Sequence, residues 1–171
     1  SGVVDIQSLE ELLAVVRYAN EEGQTITPCG TKSSCSGQSL PGGGLSIDMR
    51  SMNSIGELNI QNETISCDSG ASLRAISEAT LKQGRLPNIL SFNLDITIGG
   101  VLSAGGFGAN CHRVGPMIAN VESLEVVTGE GTLVSCSREH EPDLFHAVLG
   151  GLGRCGIIVR VSLKLRRIKP K

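Results

Sequence analysis

Two segments of this 171-residue sequence combine glycine, hydroxyl and amide groups in a way suited to holding an anion. They are Pro28-Cys-Gly-Thr-Lys-Ser-Ser-Cys-Ser-Gly-Gln38 and Thr97-Ile-Gly-Gly-Val-Leu-Ser-Ala-Gly-Gly-Phe-Gly108. Successive backbone N–H groups in glycine-rich turns form nests for phosphate, and a diphosphate fits such a surface without a metal. Taken alone, the same segments also read as loops that simply turn corners. Two more familiar phosphate motifs fail on context. Gly151-Leu-Gly153-Arg-Cys-Gly156 is a literal G-x-G-x-x-G, but the expected order around it is helix, glycines, strand, the reverse of what a dinucleotide fingerprint needs. Gly30-Thr-Lys-Ser33 lacks the glycine before lysine and the spacing of a Walker loop.

Composition narrows the field. Gly occurs 22 times where average usage gives about 12, while Trp is absent and Tyr plus Phe total four. So few aromatic rings argue against nucleic-acid binding by base stacking, and a net charge of −2 supplies no footprint for nucleic acid or an anionic membrane. The cationic C-terminal run Arg160, Lys164, Arg166, Arg167, Lys169 and Lys171 alternates with Val161, Leu163 and Leu165, as the wet face of a strand does. No apolar run approaches the ~18 residues of a membrane span, and the acidic first 30 residues do not read as a secretory signal. The six cysteines form no C-x-x-C pair and no metal spacing with His112, His140 or His146, so no metal site is expected. They read as free thiols, which points to a cytoplasmic setting.

The elements that must position the two loops follow from periodicity. Ser8 and Glu11 make a capping box ahead of a helix over 9–22 with the apolar stripe Leu9, Leu12, Leu13, Val16 and Ala19. A second helix is expected over 73–83 behind Ser72, and a short one over 143–149 opened by Pro142. Strands are expected over 25–28, 45–48, 64–68, 121–128, 132–136 and 157–168, with Gly129-Glu-Gly131 as a hairpin turn. Helix is discouraged over 97–108, since each interior glycine costs about 1 kcal/mol against alanine. Hairpins and glycine loops, rather than regular crossover helices, join several strands, which favours an α+β fold. The early first helix and the terminal strand suggest an excised domain or a very small protein.

Six motifs then stand in one order: S-x-x-E-L-x-x-V-V-x-x-A (8–19), P-x-G-x-x-x-S-x-x-G-Q (28–38), G-G-G-L-x-I-D (42–48), T-I-G-G-x-L-S-A-G-G-x-G (97–108), N-V-x-S-L-E-V-V-T-G-x-G-x-L-V-x-C-S (120–137) and D-L-F-x-A-V-L-G-G-L-G-x-x-G-I-I (143–158). From about Val4 to Lys169 the sequence resembles the FAD-binding (PCMH-type) domain of the vanillyl-alcohol oxidase and p-cresol methylhydroxylase flavoproteins, with its best likeness to cytokinin dehydrogenases. The resemblance implies one FAD-binding domain over 1–171, built from two α+β subdomains at roughly 1–50 and 51–171, with the family's substrate domain absent. It implies FAD between the two glycine loops. Pro28, Gly30, Thr31, Lys32, Ser33, Ser34 and Gln38 would come from the first, and Thr97, Gly99, Gly100, Ser103 and Phe107 from the second. Ile158 would meet the adenine or flavin end through its backbone.

Departures from the pattern also carry information. Ser33 stands where cytokinin dehydrogenases have the histidine that bonds covalently to the flavin, so the resemblance implies noncovalent FAD. Asn93-Leu-Asp-Ile-Thr97 offers no cysteine where other relatives place one, and Cys35 lies two residues past Ser33. Phe92 aligns with the family's substrate-binding aspartate, so the resemblance places it among the cofactor-site residues, where it cannot accept a proton. Asp95 reads as a turn residue, and His112-Arg113 as a surface pair. No catalytic residue is assigned. The expected function is the FAD-binding domain of an oxidoreductase that moves a hydride from a small-molecule substrate to flavin N5. The alternative is a non-catalytic flavin- or nucleotide-binding module, or one subunit of a split enzyme.

Overall fold

The computed structural model describes residues 2–168, so Ser1 and the expected strand-face residues Lys169 and Lys171 lie outside the described residues. Strand β1 (Gly2–Asp5) leads into helix α1 (Leu9–Glu21), and strands β2 (Ile26–Cys29) and β3 (Leu45–Asp48) complete a three-stranded parallel sheet ordered β1-β3-β2. The capping box forms at the start of α1. Ser8 Oγ accepts from the Glu11 amide at 3.2 Å, and the Glu11 carboxylate reaches back to the Gln7 amide at 2.8 Å.

The larger sheet runs β4-β5-β9-β7-β8, from β4 (Ile55–Asn59), β5 (Thr64–Asp68), β7 (Val121–Val127), β8 (Leu133–Ser137) and β9 (Ile157–Arg167). The short β6 (Arg85–Pro87) pairs with the end of β9. Helices α2 (Leu73–Leu81), α3 (Ile98–Ser103), α4 (Cys111–Val114) and α5 (Pro142–Val148) and a 3-10 turn at Met117–Asn120 complete the α+β architecture. Along β9, Val161, Leu163 and Leu165 are buried while Lys164, Arg166 and Arg167 are exposed, the alternation expected of a strand with one wet face.

One core joins Ile65, Leu73, Ile76, Ile98, Leu102, Phe145 and Leu163, under the large sheet. The other packs Ile6, Leu12, Val16 and Ile47 against Met49, Met52, Val127, Ile157 and Val159. The second core therefore ties the small sheet to the ends of β7 and β9.

Three expectations need correction. A strand, β1, precedes the first helix, and its mostly exposed Gly-Val-Val-Asp run is too short to show a period. Strands β4 and β6 carry Gly56 and Pro87, residues that weaken any strand pattern, and their pairing with β5 and β9 overrides that. The third is α3, a helix where glycine content discouraged one. Neighbouring chain satisfies its ends: Ile98 N donates to Ala71 O at 2.9 Å and Gly99 N to Ser69 O at 2.8 Å, while Gly150 N and Leu152 N donate to Leu102 O and Ser103 O. Ile98, Val101 and Leu102 are buried, so packing outweighs propensity. Gly99 is also required there, because a Cβ on it would stand 2.8 Å from the Ser69 Cβ.

Candidate functional site

A cavity of about 390 Å³ opens where three segments converge, a size within the ~300–1,000 Å³ range of cofactor pockets. The first segment is the loop leaving β2, the second is α3 and the third is the glycine segment between α5 and β9. Their approach is close. A Cβ on Gly30 would run into the Thr97 side chain, and one on Gly153 would lie 3.5 Å from Pro28 Cγ.

The first loop brings Pro28, Gly30, Thr31 and Lys32 to the cavity, followed by Ser33, Ser34 and Gln38. Helix α3 contributes Thr97, Gly99, Gly100 and Ser103, and Ile158 lies on the wall formed by β9. Phe92 and Phe107 depart from expectation. Phe92 is 93% exposed and Phe107 71% exposed, and neither lines the cavity. Phe92 sits in an irregular loop with no neighbour folded over it. Phe107 lies in the glycine turn past α3 with its ring exposed.

The cavity also takes in Met49, Ser69, Ala104, Leu152, Gly153, Gly156 and Ile157, which sequence reasoning had not assigned. The signal for part of this set was the G-x-G-x-x-G run. Its helix–glycine–strand order rightly excluded a Rossmann turn, yet the glycines let that segment approach the first loop and form a wall.

The first loop is rich in unused donors. Among the described residues, no protein group accepts from the amides of Thr31, Lys32, Ser33, Ser34 or Cys35. Their hydroxyls pair locally, Thr31 with Ser33 at 3.0 Å and Ser34 with Ser39 at 2.9 Å. Lys32 adopts a left-handed backbone (φ 53°), which turns successive amides toward one side as a nest requires. It is the one charged residue among those lining the cavity. Behind the loop, the mostly buried Asp48 carboxylate is held below its usual range by hydrogen bonds from Arg50, opposed by burial, with a small contribution from Lys32. Deep in the cavity wall the Ser69 hydroxyl is buried with no partner among the described residues. Free amides, hydroxyls, a single cation and glycine-permitted approach fit a diphosphate whose water must be replaced by protein donors.

Other candidates lie elsewhere. Asp95 pairs with Arg74 at 2.6 Å on the surface, and that hydrogen-bonded guanidinium holds its carboxyl below the usual range. His112, Arg113, His140 and His146 are exposed. All six cysteines are free: Cys29, Cys67 and Cys136 are buried, Cys111 is partly buried, and Cys35 and Cys155 are exposed. Burial pushes the Cys67 thiol up to about 12 and Cys136 up to about 11. No group of three or more His, Cys, Asp or Glu among the described residues is placed to hold a metal ion, and no described helix is long and apolar enough to cross a membrane.

Comparison with known proteins agrees with this geometry. A family model described as "FAD binding domain" matches residues 1–137. Cytokinin dehydrogenase 6 of Oryza sativa subsp. japonica is 40% identical over 164 residues, covering 91% of this chain and 31% of the relative. An uncharacterized oxidoreductase, ORF5 in the fasciation locus of Rhodococcoides fascians, is 35% identical over 95% of this chain and 37% of its own length. Cytokinin dehydrogenase 2 of Arabidopsis thaliana is 32% identical over 96% of this chain and 33% of its own. The chain thus spans about a third of the length of the curated relatives it matches.

Proposed function

The chain belongs to the FAD-binding domain family, with FAD as its cofactor; from that premise, we propose that it holds FAD noncovalently as the cofactor domain of an oxidoreductase. The observation that carries this reading is the first loop, whose residues from Thr31 to Cys35 line the cavity and whose amides have no acceptor among the described residues, with Lys32 the one cation among the lining residues. Those amides bind the diphosphate, and Gly30 and Gly99 let the loop and α3 pack closely against Thr97 and Ser69 around it. Leu152, Ile157 and Ile158 give the opposite wall an apolar surface that excludes water from the flatter parts of the cofactor. Once bound, FAD supplies at N5 the acceptor for a hydride leaving a substrate C–H bond.

Noncovalent attachment follows from Ser33, whose hydroxyl cannot form a histidyl link. The division into subdomains of roughly 1–50 and 51–171 goes with the same reading, supported by the separate parallel and antiparallel sheets. A cytoplasmic setting does too, supported by six unpaired cysteines.

A second reading, a flavin-binding module or split-enzyme subunit without its own catalysis, is favoured by one feature. Lys32 is the only ionisable side chain at the cavity besides the thiols of Cys29 and Cys35, and Phe92 supplies no carboxylate. Three measurements test these readings. Titration of the purified chain with FAD, followed by flavin fluorescence, is expected to give micromolar or tighter binding, and no binding rejects the FAD reading. Acid precipitation is expected to leave the yellow colour in the supernatant; colour in the pellet shows a covalent bond, with Cys35 the residue to examine. Substrate bleaching of the flavin under anaerobic conditions separates the enzyme from the module.

A further inference from the structure

Ser69, just past β5, is a cavity-lining residue whose hydroxyl the fold does not use. Its backbone is anchored on both sides. Its N–H donates to Val159 O at 2.8 Å, and its carbonyl accepts from Gly99 N at 2.8 Å. The residue is 3% exposed, and its Oγ is buried without a hydrogen-bond partner among the described residues. Native proteins pair almost all such groups, so an exception calls for a cause.

The other orphaned buried side-chain atoms do not share this position. Arg160 Nε lies 3.3 Å from an Asp68 oxygen and Arg85 Nε 3.6 Å from a Glu63 oxygen, so each has an ionic partner. Thr128 belongs to the β7–β8 turn, away from the cavity. Only Ser69 among these four lines it. The wall is also shaped around this residue, since Gly99 leaves no Cβ where one would stand 2.8 Å from Ser69 Cβ. With the backbone fixed, the one remaining freedom is rotation of the hydroxyl about Cα–Cβ among three staggered wells.

We infer that Ser69 Oγ donates a hydrogen bond to bound FAD, at an oxygen of its diphosphate–ribose portion. The inference rests on the FAD reading above and adds to the loop amides a second donor, on the wall that Ser69 shares with α3. The hydroxyl is a cost to the empty fold that the cofactor relieves, so affinity and apo stability should respond in opposite directions.

The test is Ser69→Ala in the 171-residue chain, with FAD affinity read by fluorescence titration and apo stability by thermal melting. Affinity for FAD is expected to fall on the order of tenfold, while the melting temperature without FAD stays equal or rises. Ser69→Cys, which keeps a weak donor in similar volume, should fall between the two in affinity. Competition by ADP should weaken in parallel, because ADP carries the same diphosphate and ribose. An FAD dissociation constant within twofold of the unsubstituted chain overturns the inference. So does a lower apo melting temperature, which would show that the hydroxyl serves the fold. Failure of the unsubstituted chain to bind FAD overturns instead the functional reading on which the inference depends.

Discussion

The two glycine-rich segments that meet at the cavity are built on opposite principles. In the first loop, five successive amides from Thr31 to Cys35 find no acceptor among the described residues, and the hydroxyls around them bond to one another and, at Ser34, to the Ser39 amide. In the second, the amides of Ile98 and Gly99 are already spent on Ala71 and Ser69, and the side chains of Ile98, Val101 and Leu102 belong to the main core. Both are rich in glycine, for different reasons. In the loop, glycine gives access to a ligand. In α3, it allows a helix to press against the backbone of Ser69. One side of the cavity is thus a set of donors awaiting a partner, and the other is a rigid wall against which a partner is held.

Substitutions that exchange these properties should separate stability from affinity. Gly99→Ala places a Cβ 2.8 Å from Ser69 Cβ and 3.1 Å from its carbonyl oxygen, and that strand-end backbone cannot yield. A loss of about 2 kcal/mol is expected, seen as a fall of roughly 6 °C in the apo melting temperature. Gly30→Ala puts its Cβ against the Thr97 side chain, which can move. The expected apo loss is smaller, about 1 kcal/mol, with FAD affinity reduced on the order of tenfold because the displaced threonine intrudes on the cavity. If Gly30→Ala costs more stability than Gly99→Ala, the contrast between loop and wall is wrong.

Lys32→Gly probes the loop alone. It releases a left-handed non-glycine backbone, offset by the greater freedom of glycine in the unfolded chain, so apo stability should change by less than about 1 kcal/mol. FAD affinity should fall several-fold, more at low salt than at high, as titrations at two ionic strengths would show.

The smallest effect concerns Asp48, which stands behind the loop. The Arg50 guanidinium holds its folded-state pKa below the usual aspartate value, so ionisation favours the fold. The associated stability is complete above that value and is lost as pH falls through the lower, folded one. Melting temperatures measured from pH 5 down to pH 2.5 should therefore drop less steeply for Asp48→Asn than for the unsubstituted chain. An equal slope would show that the Arg50 pair contributes nothing.

The elements that the sequence disclosed were those whose residues carry the instruction locally. Ser8 and Glu11 announce α1, Gly129-Glu-Gly131 announces the β7–β8 turn, and Val161, Leu163 and Leu165 announce β9. What it withheld depends on distant partners. Helix α3 exists because Ala71, Ser69, Gly150 and Leu152 supply the hydrogen bonds that its glycine-rich sequence cannot hold alone. The site divides in the same way. Loop residues from Pro28 to Gln38 could be named through the family resemblance, on a segment whose glycines and hydroxyls suit an anion. Ser69 could not, since an orphaned hydroxyl becomes visible only when everything around it has found a partner. Phe92 and Phe107 were placed by the family resemblance, and their outward exposure depends on where the loops around them run, which no local pattern records.

The distribution of thiols turns the chain into its own reporter. Cys67 and Cys136 are buried and held protonated, and Cys29 is buried at the end of β2, so a mild alkylating reagent meets mainly Cys35 and Cys155. Cys35 stands at the cavity, whereas Cys155, in the third segment, does not line it. Cofactor occupancy should slow modification of the first and leave the second as an internal clock. The ratio of the two labelling rates would measure closure of the site by mass spectrometry, with no chromophore and no added probe.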